Sequence, residues 1–369
     1  MPRLGFDATP LLDAKTGIGW YTHELVDAVA RQSPEDEVVL FPISWRSARR
    51  RALDAPSRPN VRVVRRVAPA RPLWGLWRRS RFPPLEWLVG CDVFHGTNYV
   101  CPPSLKVPTV VTVHDLGFVH HPEWVPAAVR RMARLLPTVL RRASAVVTGS
   151  NFTRDELAWW LPEVAGRTCV IPYGSRRLEA TPSDPGIPPG RPYALMLGTL
   201  EPRKNVALSL DAVSILRRQG RQLRLVLAGG ASPLFDLAAA LRDRDLGPSE
   251  VVQTGYLDDR RVAGLMAGAR LLVFPSLYEG FGMPVVEAMA SGVPVVAARA
   301  GATPEVAGEA ACLVDPADAE AFAEAMWRVA TDDSLRARMV AAGRRRAGEL
   351  SWDEAAANSL RLYHRLAAG

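Results

Sequence analysis

The chain has 369 residues, 48% hydrophobic and 23% charged, with a formal net charge of +8. That length exceeds what one core usually serves, so two domains are expected, and the 31 prolines and 28 glycines are scattered rather than gathered in a low-complexity tract. The four cysteines, Cys91, Cys101, Cys169 and Cys312, have no CxxC spacing and read as small buried or half-buried side chains, which excludes a zinc site or disulfide scaffold.

At the start, Asp7 interrupts the apolar run before a signal-peptide core forms, and no uncharged apolar run reaches the roughly 18 residues of a bilayer span. Neither export nor membrane crossing is expected, and the chain is expected to work in the cytoplasm. Leu4–Asp7 reads as a strand. The segment Lys15-Thr16-Gly17-Ile18-Gly19 reads as a glycine loop leading into a helix, where Gly17 and Gly19 either bring backbone amides near a ligand or simply turn the chain. Val38–Phe41 and Val61–Val64 are further strands.

From Trp45 to Trp87, twelve arginines stand against only Asp54 and Glu86, interleaved with Trp74, Trp77 and Phe82. Arginine with tryptophan suits an anionic membrane surface, with Arg49, Arg50, Arg51, Arg65, Arg66, Arg78 and Arg79 attracting headgroups and Trp74, Trp77 and Phe82 inserting shallowly. The competing explanation is arginine-rich usage with the tryptophans in the core. No nucleic-acid recognition pattern accompanies the stretch, so nucleic acid is not expected as a partner.

Asp92–His95 and Thr109–Val113 read as strands whose following loops carry His95, Asn98, Tyr99, His114 and Asp115. A helix is predicted over Val129–Arg142, a strand over Ala145–Thr148 and a helix from about Asn151. Trp159 and Trp160 read as packing or acceptor-side surface, and His23, His120 and His121 as surface or packing residues. The rhythm restarts after a Pro-, Gly- and Ser-rich stretch. Strands are predicted at Tyr193–Gly198, Leu223–Gly229, Val251–Gly255, Ala269–Pro275 and Pro294–Ala297. Helices fall at Val206–Gln219, Val262–Gly268 and Pro284–Ser291. Residues 1–175 form the first α/β domain, 176–191 a linker and 192–350 the second domain, with 351–369 a helix that can pack back on the first. Two such units imply a cleft between them, ligands lying beyond the carboxyl ends of the strands.

The sharpest motif is Glu279-Gly280-Phe281-Gly282-Met283-Pro284-Val285-Val286-Glu287. Pro284 suits a helix's first turn, placing Glu279 in a loop and Glu287 in the helix that follows. Gly280 and Gly282 allow close backbone approach, and the amides of Phe281, Gly282 and Met283 would face an anion or a sugar hydroxyl. The bland alternative is two ordinary solvated carboxylates. The only Asp-x-Asp spacing, Asp243-Arg244-Asp245, is predicted inside a helix, so no metal site is expected.

With Gly17-Ile18-Gly19, His114-Asp115, Ser150-Asn151-Phe152-Thr153, Ile171-Pro172-Tyr173-Gly174, Gly198-Thr199-Leu200-Glu201-Pro202-Arg203-Lys204-Asn205, Phe274-Pro275-Ser276 and Gly301-Ala302-Thr303-Pro304-Glu305 in order, the chain resembles the retaining glycosyltransferases of family four. The resemblance runs from the start to about residue 306. It implies a GT-B architecture, two facing Rossmann-like α/β domains, and transfer of a hexose such as mannose from a GDP- or UDP-type nucleotide sugar. The acceptor would be a glycan or lipid-linked molecule, and neither cofactor nor divalent metal would be needed.

By the same resemblance, Glu287 holds the donor ribose, Glu279 reaches the transferred sugar, Lys204 binds the diphosphate and His114 lies beside the sugar. Gly17, Gly19, Gly198, Thr199, Gly280, Phe281, Gly282 and Met283 line the donor. Asn98, Tyr99 and Asp115 are acceptor-side candidates. Many members carry an arginine where Thr199 stands, and Arg203 is the available substitute. A nucleotide-sugar hydrolase or epimerase of the same fold, and a non-catalytic nucleotide-sugar binder, are the alternatives.

Overall fold

The computed structural model describes the chain except for residues 13–14, 44–52, 65–69, 78, 177, 179–186 and 188–190, and at 70–72, 128 and 131–132 it describes the backbone alone. The chain divides into two units: Met1–Gly174 with Ser351–Gly369, and Ser175–Leu350.

The first unit is built on seven strands, β1 (Arg3–Asp7), β2 (Glu37–Phe41), β3 (Val61–Val63), β4 (Val93–Gly96), β5 (Thr109–Val113), β6 (Ala145–Thr148) and β7 (Thr168–Val170). They pair in the order β3-β2-β1-β4-β5-β6-β7, and every pairing is parallel. The second unit has six parallel strands, β8 (Tyr193–Leu197), β9 (Arg224–Ala228), β10 (Val251–Gly255), β11 (Leu271–Phe274), β12 (Val295–Ala298) and β13 (Ala311–Val314), in the order β10-β9-β8-β11-β12-β13.

Helices cover both faces of such sheets, which is why the central strands read as unbroken apolar runs rather than alternating patterns. Each unit has its own core, around Phe41, Phe94, Val111 and Leu140 in the first and Met196, Leu227, Val273 and Phe322 in the second. In both sheets the strand order reverses beside the first strand, between β1 and β4 and between β8 and β11. That reversal opens a crevice at the carboxyl ends of those strands, where ligands of doubly wound sheets bind.

Several elements differ from the sequence-based expectation. The helix expected over Val129–Arg142 is two, Ala127–Ala133 and Leu136–Arg142. Pro137 has no amide to donate and would clash with the carbonyl four residues back, so a continuous helix cannot pass it. Asp243 and Asp245 are not inside a helix: Leu237–Arg242 ends before them, and Asp245 adopts a left-handed φ of 51° in the turn. Gly17 and Gly19 belong to the first turn of the Gly17–Gln32 helix rather than to a loop. His95 lies within β4, not in the loop after it. There it is buried, with its ring nitrogens 2.6 Å from Tyr363 Oη and 2.7 Å from Thr112 Oγ1.

The last helix, Trp352–Ala368, begins with Ser351 accepting the Glu354 amide and lies along the Gly17–Gln32 helix of the first unit. Gln32 Nε2 donates to Asp353 O at 2.7 Å, and Arg31 pairs with Asp353. Glycine at 174 is required by that return: a Cβ there would lie 2.2 Å from the Trp352 amide nitrogen.

Candidate functional site

In the second unit, the loop after β8 and the loop after β11 meet on one carboxylate. Gly198 leaves β8 with φ +126°, a conformation open chiefly to glycine. A short turn over Pro202–Lys204 then ends at Asn205, whose left-handed backbone starts the Val206–Arg218 helix. This folds Lys204 inward, and its Nζ lies 2.6 Å from Glu279 Oε1 and 5.0 Å from the centre of the Phe274 ring. Arg203 bridges two acids, with Nε 3.0 Å from Glu201 Oε2 and Nη1 3.0 Å from Glu279 Oε2.

The Glu279 backbone is fixed from the other side. Its carbonyl accepts the Ala302 amide at 2.9 Å, and Gly301, at φ +56°, packs so closely that a Cβ would lie 2.7 Å from Glu279 N and O. Burial pushes the Glu279 carboxyl up, but the charges of Lys204 and Arg203 outweigh it and hold the group at about 2. Burial also lowers the Lys204 ammonium, against the opposing pull of Glu279. Glu279 is therefore an ionised acceptor for hydroxyls and no proton donor near neutral pH. Lys204 and Arg203 form a cationic pair at a strand's carboxyl end, where an oxyanion would be stabilised. Thr199 is exposed at the start of the same loop.

Glu287 sits in the Met283–Ala290 helix, which starts at Gly282 in a left-handed conformation with Pro284 in its first turn. The buried Glu287 carboxylate pairs through Oε1 with Arg176 at 3.0 Å, and Arg176 also reaches Asp259 Oδ2 at 3.1 Å. Gly280 and Phe281 are buried in the loop that joins the two glutamates.

In the first unit, His114 follows β5 and both its ring nitrogens are engaged. Nε2 is 2.8 Å from the Thr97 carbonyl and Nδ1 is 2.9 Å from Tyr173 Oη. A carbonyl only accepts, so Nε2 carries the proton and the Tyr173 hydroxyl donates to Nδ1. Burial pulls the imidazole down to about 4, which keeps it neutral above mildly acidic pH. Tyr99, at φ +59°, sets its ring edge against His114 with centroids 5.5 Å apart, and its hydroxyl accepts the Asp115 amide at 2.9 Å. Asp115 turns Oδ1 to the Gly117 amide at 3.0 Å, which starts the next helical turn. Asn98 and Val100 form an isolated bridge beside this group. Tyr21 of the Gly17–Gln32 helix packs on both His114 and Tyr173, so Gly17 and Gly19 open a helix that touches the His114 cluster.

Comparison with known proteins gives the family of the chain. The chain is 30% identical over 388 residues to the O-antigen chain mannosyltransferase B of Escherichia coli, covering 98% of this chain and 99% of that one. It belongs to glycosyltransferase family 4. Residues 15–175 match the family described as Glycosyltransferase Family 4, and residues 179–346 match that described as Glycosyl transferases group 1. An MMP alpha-(1->4)-mannosyltransferase of Mycolicibacterium hassiacum is 41% identical over 297 residues, 75% of this chain and 71% of that protein. Among solved structures, the sucrose-phosphate synthase of Thermosynechococcus elongatus superposes with a TM-score of 0.78 at 24% identity over 100% of both chains, which gives the GT-B fold.

For this glycosyltransferase, the structure gathers Gly198, Arg203, Lys204 and Glu279 at one end of the second sheet. It gathers Asn98, Tyr99, His114 and Asp115 at one end of the first. Three partners were not singled out as site residues from the sequence: Glu201, Arg176 and Tyr173. Tyr173 lies in the Ile171–Gly174 motif and was visible there, but its pairing with His114 spans 59 residues and carries no local signal. Arg176 stands in the segment read as a linker.

The basic stretch is only partly described. Arg49, Arg50, Arg51, Arg65, Arg66 and Arg78 lie outside the described residues. Trp77 is buried, donating from Nε1 to the Pro83 carbonyl, so it does not insert into a membrane. Trp74 is half-buried against the first core, whereas Phe82 and Trp87 are exposed and meet edge to face. Among the described residues no group of three or more His, Cys, Asp or Glu is placed to hold a metal ion, and no helix is long and apolar enough to cross a membrane.

Proposed function

We propose that this glycosyltransferase moves a mannosyl residue from a nucleotide-sugar donor, GDP-mannose, to a glycan or lipid-linked acceptor with retention of anomeric configuration. The observation that carries the donor side is the Arg203–Lys204 pair closed on Glu279. When the diphosphate arrives it competes with Glu279 for the two cations, and the released carboxylate accepts hydroxyl hydrogen bonds from the transferred sugar. Glu287 takes the ribose, beside Arg176. The relatives named as mannosyltransferases support mannose as the sugar.

In the proposed step, the bond from the anomeric carbon to the leaving phosphate oxygen breaks and the acceptor oxygen bonds to that carbon on the same face. The acceptor proton passes to the departing diphosphate. No general base is assigned to His114, because its Nε2 proton is committed to Thr97 and its Nδ1 lone pair to Tyr173. The ring is neutral and adds no charge at the carboxyl end of β5. Arg203 and Lys204 supply the positive charge at the leaving group, so no divalent metal takes part in the proposed reaction.

The proposed setting is the cytoplasm, with peripheral contact to an anionic membrane through Arg79, Arg81, Phe82 and Trp87. Glu86, one of the two acids of that stretch, turns Oε1 to the Ser104 hydroxyl and the amides of Leu105, Lys106 and Val107, which draws its charge inward. The test of the function is incubation of purified protein with a panel of nucleotide sugars and mixed acceptors. A mannosylated product is expected. Loss of donor only to free sugar with every acceptor would point to a hydrolase, and donor binding without turnover to a non-catalytic binder.

A further inference from the structure

The neighbouring indoles Trp159 and Trp160 close the Asn151–Trp160 helix and have opposite fates. Trp160 packs against the first-unit core, whereas Trp159 is 73% exposed. The imidazole of His120 stacks on Trp159, with centroids 5.6 Å apart and planes 29° from parallel, and its Nε2 lies 2.5 Å from Glu156 Oε2. The next residue repeats the motif: His121 stacks on Trp124 at 3.7 Å and 14°, with Nδ1 3.2 Å from Glu123 Oε1. Two imidazole–indole stacks, each with a carboxylate at its edge, are thus carried by adjacent residues of the segment that follows His114-Asp115-Leu116.

An indole used for packing is buried; leaving one in water forgoes roughly 25 cal/mol for every Å² of apolar surface exposed. Here one side of the ring is instead set against the His120 imidazole. A flat apolar face bordered by carboxylate oxygens and ring nitrogens matches a pyranose, which offers an apolar C–H face and a rim of hydroxyl donors and acceptors. Charge separates this surface from the basic stretch. Along Gly117–Trp124 and Asn151–Trp160 a single arginine, Arg154, stands against Glu123, Asp155 and Glu156, and it is paired with Asp155 at 2.7 Å. From the neighbouring helix Arg130 donates to the Pro122 and Val125 carbonyls at 3.0 and 3.1 Å, so the described charges nearly balance, and a surface without a strong field of either sign suits an uncharged polymer.

We propose that the Trp159–His120 and Trp124–His121 surface binds the body of a neutral glycan acceptor, away from the end that reacts. This rests on the transferase function proposed above. Asn151 stands near the carboxyl end of β6, and eight residues of helix carry Trp159 about 12 Å further along the axis. The surface would therefore act on acceptors several sugars long and leave the shortest ones indifferent to it.

The test uses linear α-linked mannooligosaccharides from mannobiose to mannohexaose, titrated by tryptophan fluorescence and calorimetry against the full chain, Trp159→Ala and Trp159→Phe. Affinity should grow with chain length in the parent, fall about tenfold for mannohexaose in Trp159→Ala, and partly recover in Trp159→Phe, which keeps a flat apolar ring. Initial rates should show a raised KM for mannohexaose with kcat unchanged in Trp159→Ala, and no change with mannobiose. Equal affinities of parent and Trp159→Ala at every length, or no length dependence in the parent, would overturn the proposal. So would an indole response to anionic vesicles but not to glycans. Sugar transfer with Trp159→Ala indistinguishable from the parent refutes the subsite alone. Length-dependent binding through Trp159 with no donor turnover supports the subsite and refutes the transferase function.

Discussion

Replacing Glu279 by Gln keeps the shape of the side chain and removes the charge that holds Lys204 and Arg203. The carboxyl sits at about 2 rather than its ordinary 4.5, a depression that corresponds to roughly 3 kcal/mol of native-state stabilisation at neutral pH. Leaving a buried ammonium without its counter-charge costs about 3–5 kcal/mol, which agrees at its lower end. In a unit of this size that lowers the midpoint of thermal unfolding by roughly 6–12 °C while leaving a folded protein. Turnover should fall about 100-fold, because in the proposed reaction the variant loses a charged acceptor for the sugar hydroxyls. Affinity for the nucleoside diphosphate should hold or rise, since the anion no longer competes with Glu279 for the two cations. Scanning calorimetry, initial rates and titration with nucleoside diphosphate measure the three quantities. A drop in diphosphate affinity as large as the drop in turnover would refute the reasoning, as would turnover within about twofold of the parent.

Lys204→Ala should weaken both donor binding and turnover, and Arg203→Ala should weaken donor binding if Arg203 serves for the arginine missing at Thr199; calorimetric donor affinities near the parent value would remove either residue from the site. His114 and His95 are pulled by burial to about 4 and about 3 from an ordinary 6.5, so the unfolded chain binds more protons between those values. The share of the first unit's stability that rests on these two neutral rings should be fully present above pH 6.5 and decline as pH falls towards 4 and below, by roughly 8 kcal/mol in total; denaturation midpoints flat across that window would contradict the buried neutral pair. Exhaustive chelation should leave turnover intact, and loss with specific recovery by manganese would count against metal-free transfer. Co-sedimentation with anionic vesicles should fall at moderate salt and on neutralising Arg79 and Arg81, each worth about 1 kcal/mol near the surface; equal absence of binding to neutral and anionic vesicles would exclude the membrane contact.

Much of the fold was legible because a parallel sheet buried on both faces writes each strand as a short apolar run, and β1, β5, β8 and β11 lie where those runs fall. The two helices between β13 and the last helix were not. Ala319–Thr331 is rich in alanine and Asp333–Glu349 in arginine, and the second buries only Gly343 and Ala347, so little apolar periodicity marks it. Their starts are written in single side chains, Asp318 and Asp332, which accept the amides of Ala321 and Leu335. In the site, the glycine-flanked Glu279 and the Lys204 turn stood out locally because they need unusual backbone. The partners that set their charge did not, since the Lys204–Glu279 pair spans 75 residues and Arg176–Glu287 spans 111. His95 shows the converse: its neighbours in sequence resemble a site loop, yet strand pairing of Phe6 with His95 places it in the core under Tyr363.

The most direct test of the proposed reaction is the anomeric configuration of its product. Purified protein is incubated with GDP-mannose and an acceptor mannooligosaccharide, and the new glycosidic linkage is read from its proton and carbon coupling constants. An α-linked product from the α-configured donor is predicted. A β-linked product, or release of free mannose at the same rate with and without acceptor, would contradict retaining transfer.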